Sequence, residues 1–400
     1  MNLKIITLSF AVVSTIYGNT LQDIQQSTLK NNQLLMTYDN NVDISNQNIK
    51  LATKWQNPIL GFGVNDLLIT DLTARDKEAM QTQFITFSQV IPTVSKLKYK
   101  QKINKIQSDI LRAIKLDKNI ELNSQIVSLL SKYTIIEDKI KLYKKLQNNI
   151  QDLKDLQNQR FKTTSIAQSD IIKSDTKVLQ IDLKIQTLNN KTKTIKLKLQ
   201  DISYTNISDI NYHLMPYKID NVDIDKLLQK NYIFRSLNLK VNKQTQNIKL
   251  QDAKKTADIK LNVGYYQRES FDDYVAFSVA YPLSIYGKEN IEVLKAKQQK
   301  AKINREIKQF KNKFKVKLLT LIEDEKIAYQ NYNTITSKII PNKEYIQSLY
   351  ISDSKNNQIN TIKQIRLKNE ILKDKIKSLD LLTNFYQAKS KILYFKGVQL

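Results

Sequence analysis

The chain has 400 residues, of which 41% are hydrophobic, and a formal net charge of +26. It contains six glycines, five prolines and no cysteine, which excludes disulfides, thiolate metal sites and a lipid-bearing N-terminal cysteine. Because turn-forming residues are so scarce, the secondary-structure elements must be long, whereas an enzyme of this size normally has many glycine-centred loops.

The positive charge raises the question of nucleic-acid binding. The lysines are spread along helical patterns without clustering with aromatic residues, and no nucleic-acid-binding motif is present. A solvated, lysine-rich helix face is therefore the preferred interpretation, with weak attraction to anionic surfaces. A nucleic-acid-binding coiled coil stays open as a rival only if the N-terminus is not processed.

Residues 1–18 have the pattern of a secretory signal peptide. Lys4 precedes a short apolar run, and small residues lead to a predicted cleavage site after Gly18. The apolar run is too short to span a bilayer. The alternative is a buried N-terminal helix. We expect an exported protein without helical membrane anchors.

Residues 19–204 are predicted to form the first of two structural repeats. An opening helix is broken at Trp55–Pro58, and alternating apolar residues then predict a strand pair at about 59–91 with a charged loop. Two long helices follow at about 94–158 and 165–203. The second of them has an apolar seam with alternating four- and three-residue spacing, which is typical of a helix packed along partner helices.

The same plan restarts after an irregular connector at 205–222. The second repeat, 223–400, is predicted to contain a helix and a strand pair at about 259–281. Two long helices then follow at about 284–349 and 358–396, and the return helix again has three- and four-residue apolar spacing. The architecture is therefore predicted to be duplicated in tandem.

Each repeat contains a strand that ends at a proline, and the two strands are alike. Gln83–Pro92 corresponds to Asp273–Pro282. The large apolar residues share one parity, namely Ile85, Phe87 and Ile91, then Val275, Phe277 and Tyr281. The other parity is small or polar, namely Thr86 and Ser88, then Ala276, Ser278 and Ala280. This alternation predicts strands with one apolar and one polar face.

The predicted strands cannot form a closed barrel within one chain. About eight strands make the smallest membrane barrel, and this chain has only four. An open sheet in lipid would leave two edges unpaired, which is costly. The pattern therefore predicts either an oligomeric barrel or a soluble sheet that is covered on one face.

Over essentially the whole mature chain, this pattern resembles the TolC-like outer-membrane efflux protein family. The motifs that carry the resemblance are Trp55–Pro58, Phe87–Pro92, Val275–Gly287 and the helix–helix turn with Arg160-Phe161 and Asp170-Ile171-Ile172. Thr164 stands where the family usually has glycine. In the second copy, Tyr350, Ser354 and Asn360 occupy the equivalent positions and depart further from the family pattern.

The resemblance implies a mixed α and β fold. Long α-helical hairpins would form a coiled-coil barrel, and four antiparallel transmembrane strands per chain would complete a 12-stranded barrel in a homotrimer. It implies a passive exit duct of a tripartite efflux or type I secretion system in a Gram-negative bacterium. The duct would lie in outer-membrane lipid and extend into the periplasm, where an adaptor and an inner-membrane transporter would join and energise it. No enzymatic activity, cofactor, metal or nucleic acid is expected.

The resemblance also suggests site residues. Candidates for the periplasmic gate or adaptor-docking turns are Arg160, Thr164, Asp170, Tyr350, Asp353, Ser354, Asn360 and Lys363. Candidates for strand-to-helix transitions are Pro92, Pro282 and Gly287, and those for membrane-interface aromatics are Trp55, Tyr265, Tyr274 and Tyr281. Ordinary packing or helix capping is the alternative for each. Since Asn360 and Lys363 stand where the family often has acidic residues, a carboxylate ring is not expected at that level, and Asp170 and Asp353 remain acidic lining candidates.

A periplasmic coiled-coil scaffold without a pore is the alternative function. In that case the two hairpins would pack on the chain's own helices. The strand faces distinguish the two, because a lipid-facing band must be apolar across all four strands. Lys260 argues against a lipid-facing apolar band unless its side chain lies on the polar face. Its parity with Asn262 indicates that it does.

Overall fold

The computed structural model describes residues 19–161, 167–215, 222–352 and 359–399. The predicted signal peptide lies outside these ranges. The described helices are α1 Leu21–Asn31, α2 Gln33–Leu51, α3 Val94–Phe161, α4 Gln168–Ser203, α5 Ile224–Lys230, α6 Tyr232–Ala253, α7 Lys288–Thr334, α8 Ile340–Ser352 and α9 Ile359–Lys396. The strands are β1 Ile59–Asn65, β2 Thr82–Ile91, β3 Ile259–Gln267 and β4 Tyr274–Ala280. Over the same ranges, no helix has both the length and the apolar character that a membrane span requires.

The chain divides into two compact units, and each draws on both halves of the sequence. The helical unit comprises Met1–Leu35, Lys118–Leu227 and Phe314–Leu400. The sheet unit comprises Met36–Asp117 and Leu228–Lys313. Both α3 and α7 contribute residues to each unit. The tandem division predicted from the sequence remains a prediction.

In the helical unit, α4 buries the seam that its sequence predicts. The buried side chains are Ser174, Ile181, Ile185, Leu188, Thr192, Ile195, Leu199 and Ser203. The five isoleucines and leucines among them belong to a core with Ile126, Leu130 and Ile136 of α3. Because the seam repeats every seven residues, α4 runs along α3 as in a coiled coil.

Helix α9 is buried on two sides, which is more than its sequence predicts. The predicted seam is present, with Asn369, Leu372, Ile376, Tyr386 and Ser390 buried. A second set of buried side chains comprises Ile371, Ser378, Leu382, Phe385, Ala388, Ile392 and Phe395. Phe395 packs on Phe314 of α7 with ring centroids 4.9 Å apart. On the other side, Asp380 forms an ion pair with Lys139 of α3 at 2.6 Å.

The second long helix contains Pro341 near its far end, and a π-helical turn at Ile335–Ile339 precedes this proline. The N–H of Ile340 donates to the carbonyl of Ile335, five residues back. The wider turn accommodates the proline, which has no N–H to donate. The hydroxyls of Thr336 and Ser337 donate to carbonyl oxygens one turn earlier. The helix then continues as α8.

The sheet unit is built around one antiparallel sheet in the order β1-β2-β3-β4. The central β2–β3 pair joins the two halves of the chain, with Phe87 opposite Val263. Strands β1 and β4 are the edges, and each has one side without a partner strand in the described chain. Helix α7 begins at Lys288 and not near residue 284, because Gly287 adopts a positive φ of 70° that turns the chain into the helix.

Candidate functional site

One face of the sheet is apolar and exposed. The register aligns Leu60, Phe87, Val263 and Phe277 at one level, and Phe62, Ile85, Tyr265 and Val275 at the next. Phe62 and Phe277 are 84% and 72% exposed. With Leu261, Val279 and Ile259, this apolar face extends roughly 20 Å along the strands at about 3.4 Å per residue. Such a surface is normally covered by lipid or by another protein.

A glutamine pair borders the apolar face near the loops, and a single glutamine interrupts it toward the other end. Gln83 pairs with Gln267 at the end near the loops. Toward the other end, Gln89 lies beside Leu261 and donates from Nε2 to the carbonyl oxygen of Gln56 at 3.1 Å. The apolar face is therefore an apolar band with a polar border at the loop end and one polar side chain, Gln89, within it.

The opposite, polar face carries small and hydrogen-bonding side chains. Ser88 donates from Oγ to Oδ1 of Asn262 at 2.6 Å, and Asn262 donates from Nδ2 to Oγ of Ser278 at 3.0 Å. The next level toward the loops holds Gly61, Thr86, Gly264 and Ala276. Lys260 also lies on this face, opposite Val90 and Ala280, as its parity predicts. These groups suit contact with water.

An aromatic row follows on the polar face at the loop end of the strands. It consists of Phe84, Tyr266 and Tyr274. The centroids of Phe84 and Tyr266 are 5.6 Å apart, and those of Tyr266 and Tyr274 are 4.8 Å apart with nearly parallel planes at 3°. Glycines leave room for these rings: a Cβ on Gly63 would lie 2.7 Å from Phe84, and one on Gly264 would lie 2.7 Å from Tyr266.

The strand-to-helix transition after β2 is fixed by an ion pair. Pro92 follows the last residue of β2, and α3 begins two residues later. Asp258, just before β3, accepts from the N–H of Thr93 at 3.0 Å and from Lys96 at 2.8 Å. Partial burial alone would raise the pKa of Asp258, but the bonds from Lys96 and Thr93 hold it below its ordinary value. In the second transition, Pro282 is exposed and Gly287 provides the turn.

The loop between β1 and β2 is organised by Gln81. Its buried amide donates to the carbonyl oxygens of Asp66 and Ala74 and accepts from the N–H groups of Lys77 and Glu78. Within the same loop, the hydroxyl of Thr73 and the ammonium of Lys77 lower the pKa of Asp71 to about 2. The loop therefore has a defined conformation despite its polar sequence.

At the first helix–helix turn, Arg160 is half-buried near the end of α3. Asp170 lies in the first turn of α4 and forms an ion pair with Lys173 at 3.2 Å. Ser174 donates from Oγ to Gln157 at 2.8 Å, which joins α4 to α3 one turn from the end of the hairpin. Thr164 lies outside the described residues.

At the second turn, Tyr350 is half-buried near the end of α8 and Lys363 is exposed in the first turns of α9. Gln364 donates from Nε2 to the carbonyl oxygen of Tyr350 at 2.9 Å. Asp353 and Ser354 lie outside the described residues. Asn360 belongs to the described backbone of α9, but its side chain does not belong to the described part.

Further from this turn, ion pairs hold α8 against α9. Lys343 lies 2.9 Å from Asp374 and 3.1 Å from Glu370, and Lys375 lies 2.9 Å from Glu344. The carboxylates of Asp374 and Glu370 raise the pKa of Lys343. At this distance from the turn, the two helices are thus held together by charged contacts as well as by Ile340 and Ile371.

The four candidate interface aromatics do not lie on one face. Tyr265 is on the apolar face, and Trp55 and Tyr281 are exposed next to the strand ends that continue into helices. Tyr274 lies on the polar face, stacked on Tyr266. It therefore belongs with the aromatic row and not with the apolar band.

Sequence reasoning missed a second apolar stripe on α4. Ile172, Leu179, Leu183 and Leu197 are each more than half exposed. Their spacing of seven, four and fourteen residues places them on one side of the helix, away from the buried seam. In the helical unit, α7 has a similar exposed set in Val316, Leu319 and Ile327. The heptad spacing of the leucines could have revealed this stripe.

In the part of the chain that the structure describes, no group of three or more His, Asp or Glu side chains is arranged to hold an ion.

No family model matches the sequence, and no curated protein matches it with significance. Solved structures are similar in fold. The Campylobacter jejuni CmeC outer-membrane channel has a TM-score of 0.75 and 11% identity, covering 99% of this chain and 94% of that chain. A membrane protein from Pseudomonas aeruginosa has a TM-score of 0.75 and 11% identity, covering 94% and 92%.

The open-state MtrE outer-membrane channel of Neisseria gonorrhoeae has a TM-score of 0.68 and 11% identity, covering 92% of this chain and 88% of that chain. The fold, with its long helices and one antiparallel β-sheet, is therefore the one seen in outer-membrane channel proteins. More particularly, it is the TolC-like channel fold, which confirms the fold predicted from the sequence motifs.

Proposed function

We propose that this protein is one subunit of a trimeric outer-membrane channel through which solutes leave the cell passively. The observation that carries the proposal is the division of the sheet into an exposed apolar face and a hydrogen-bonded polar face. In a barrel, the apolar face contacts lipid and the polar face lines a water-filled lumen.

The two open sheet edges support assembly from several copies. Pairing of β4 of one copy with β1 of the next satisfies the backbone groups of both edges. Three copies give twelve strands, enough to close a barrel around a lumen. The barrel then has no edge in the lipid.

The helices support the same assembly. The exposed stripe on α4, represented by Leu179 and Leu183, would leave apolar side chains in water in a single copy. In a ring of copies, α4 of one subunit packs against the exposed stripe of α7 in the next, including Val316 and Leu319. The helical pairs would then form a continuous wall.

The channel is proposed to work with a periplasmic adaptor and an energised inner-membrane transporter. A groove of about 380 Å³ between α3, α4 and α9 is a candidate adaptor contact near the helical turns. Lys177, Lys373 and Lys377 line it together with Asp380, which is already paired with Lys139. The groove therefore presents unneutralised positive charge to a partner.

Cell fractionation and native mass measurement test this function. The full-length chain, expressed with its N-terminal segment in a Gram-negative host, is expected in the outer-membrane fraction. After extraction in mild detergent, its mass should equal that of three copies. Recovery as a soluble periplasmic protein would instead favour the coiled-coil scaffold. Recovery as an unprocessed cytoplasmic protein would contradict both the channel and the scaffold.

A further inference from the structure

We propose that the aromatic row of Phe84, Tyr266 and Tyr274 is the narrowest level of the strand-lined lumen and a binding subsite for planar organic cations. The inference rests on the proposed function, in which the polar face lines the lumen. It adds a ligand chemistry and a location that the channel fold does not specify.

The change in side-chain size along the polar face supports a constriction. The level nearest the row contains only Gly61, Thr86, Gly264 and Ala276, which project little beyond the backbone. One level closer to the loops, three aromatic rings replace them. In a trimer, nine rings would then surround the lumen at this level, so the free width is smallest there.

One ring of the row, Tyr274, already contacts a planar cation supplied by the chain. The guanidinium of Arg268 lies 5.2 Å from the ring centroid of Tyr274 and 5.5 Å from that of Phe271. Its Nε donates to the carbonyl oxygen of Asp272 at 2.8 Å, which fixes its position. A delocalised cation over an aromatic face is attracted by the ring quadrupole. The same chemistry is available to a solute at the other rings.

The charge of the adjoining loops determines whether cations or anions are attracted to the row. The loop after β1 contains the acidic residues Asp66, Asp71, Asp76 and Glu78 against Arg75 and Lys77. The β3–β4 turn contains Glu269, Asp272 and Asp273 against Arg268. The loop end is therefore locally acidic in a chain whose net charge is +26. This local field favours cations over anions at the row.

The binding test uses ethidium, a planar aromatic cation, and the full-length trimer in detergent. Fluorescence anisotropy gives its affinity for the wild type, and phenanthridine, the uncharged ring system, serves as the ligand control by competition. We expect ethidium to bind at least tenfold more tightly than phenanthridine. Tyr266→Ala should weaken ethidium binding by about tenfold, whereas Tyr266→Phe, which retains the ring, should stay within about twofold of the wild type.

Phe84→Ala and Phe87→Ala form a matched pair on β2. Both remove a phenyl ring, but Phe84 belongs to the row and Phe87 to the apolar face. Only Phe84→Ala should weaken ethidium binding. If Tyr266→Ala does not assemble, Tyr274→Ala at the exposed end of the row carries the same expectation.

Two results would overturn the subsite. One is equal ethidium affinity in the wild type and the assembled row variants, and the other is equal affinity for ethidium and phenanthridine. Native mass and fractionation are recorded for every sample. A trimer in the outer membrane with no row-dependent ethidium binding therefore refutes the subsite alone, whereas a soluble monomer refutes the channel itself.

Discussion

Lys96 and Asp258 form an ion pair of 2.8 Å that joins the start of α3 to the residue before β3. The Lys96 side chain is only 8% exposed, and Asp258 also accepts from the N–H of Thr93. Removing the carboxylate would leave the ammonium buried without its partner. The pair therefore fixes the position of the long helix relative to the second strand pair within the sheet unit.

Asp258→Asn is expected to lower the stability of the folded protein by about 2 kcal/mol, the range of a hydrogen bond to a charged group. Asp252→Asn is the matched control, because Asp252 pairs with Lys255 on the surface, where such pairs contribute little. Thermal unfolding in detergent measures both. Equal melting temperatures for the two variants would contradict a structural role for the Lys96 pair.

The same carboxyl predicts a pH dependence. Because the pKa of Asp258 is lowered in the folded state, its contribution is present above the unfolded value of 3.8 and is lost as the pH falls through the folded value. The difference in melting temperature between the wild type and Asp258→Asn should therefore be constant from pH 7 to about pH 5 and shrink below about pH 4. A difference that grows on acidification would be inconsistent with this assignment.

Two neighbouring residues of β4 test the two faces of the sheet. Phe277→Lys puts a charge on the apolar face, at a cost of about 2–4 kcal/mol per subunit if that face meets the lipid core. Ser278→Lys puts the same charge on the polar face and should be tolerated. The readout is the amount of trimer in the outer-membrane fraction. Equal recovery of both variants would argue against lipid contact.

The exposed stripe of α4 is expected to form a subunit contact. Replacing Leu179 and Leu183 with Gln removes apolar surface that would be buried between copies, so the trimer should dissociate at lower temperature or yield monomers. Lys184→Gln, on the adjoining surface, should leave the assembly unchanged. Native mass spectrometry during heating separates the cases. If the trimer of the double variant is as stable to heating as that of the wild type, the subunit contact does not involve this stripe.

The hydrogen bond between Gln364 and Tyr350 is expected to help keep the channel narrow at rest. It joins α8 to α9 at the turn that is the candidate gate. The wild type should show low conductance in planar bilayers, and Gln364→Ala should increase it. Lys368→Ala, an exposed change one turn further along α9, is the control. A fully open wild-type pore would contradict a closed resting state without affecting the fold.

The sequence predicted much of the fold because its periodicities are strong. The parity of Ile85 and Phe87 predicted the apolar face, and the seven-residue spacing of Ile181, Leu188 and Ile195 predicted the buried seam of α4. These patterns depend only on the geometry of strands and helices.

Features that depend on the choice of neighbours were harder to predict. Helix α9 packs against both α3 and α7 and therefore has two buried stripes. In the sequence, the second stripe, which includes Phe385, overlaps the first, so the apolar residues do not show two separate periodic sets. The π-helical turn before Pro341 adds one residue to a single helical turn, which is too little to change the spacing of apolar residues in the sequence. Residue type alone suggested Tyr274 as a membrane-interface aromatic, and that role stays a prediction; its parity with Ala276 and Ser278 already indicated the polar face.

Closure of the barrel between copies is the central claim, and engineered disulfide cross-linking tests it most directly. The chain has no cysteine of its own, so there is no background. Leu60→Cys on β1 is combined in turn with Val275→Cys, Phe277→Cys or Val279→Cys on β4, all on the apolar face. Oxidation of outer membranes should give covalent trimers for at least one pair. Only monomers for all three pairs, with the protein folded, would contradict the claim.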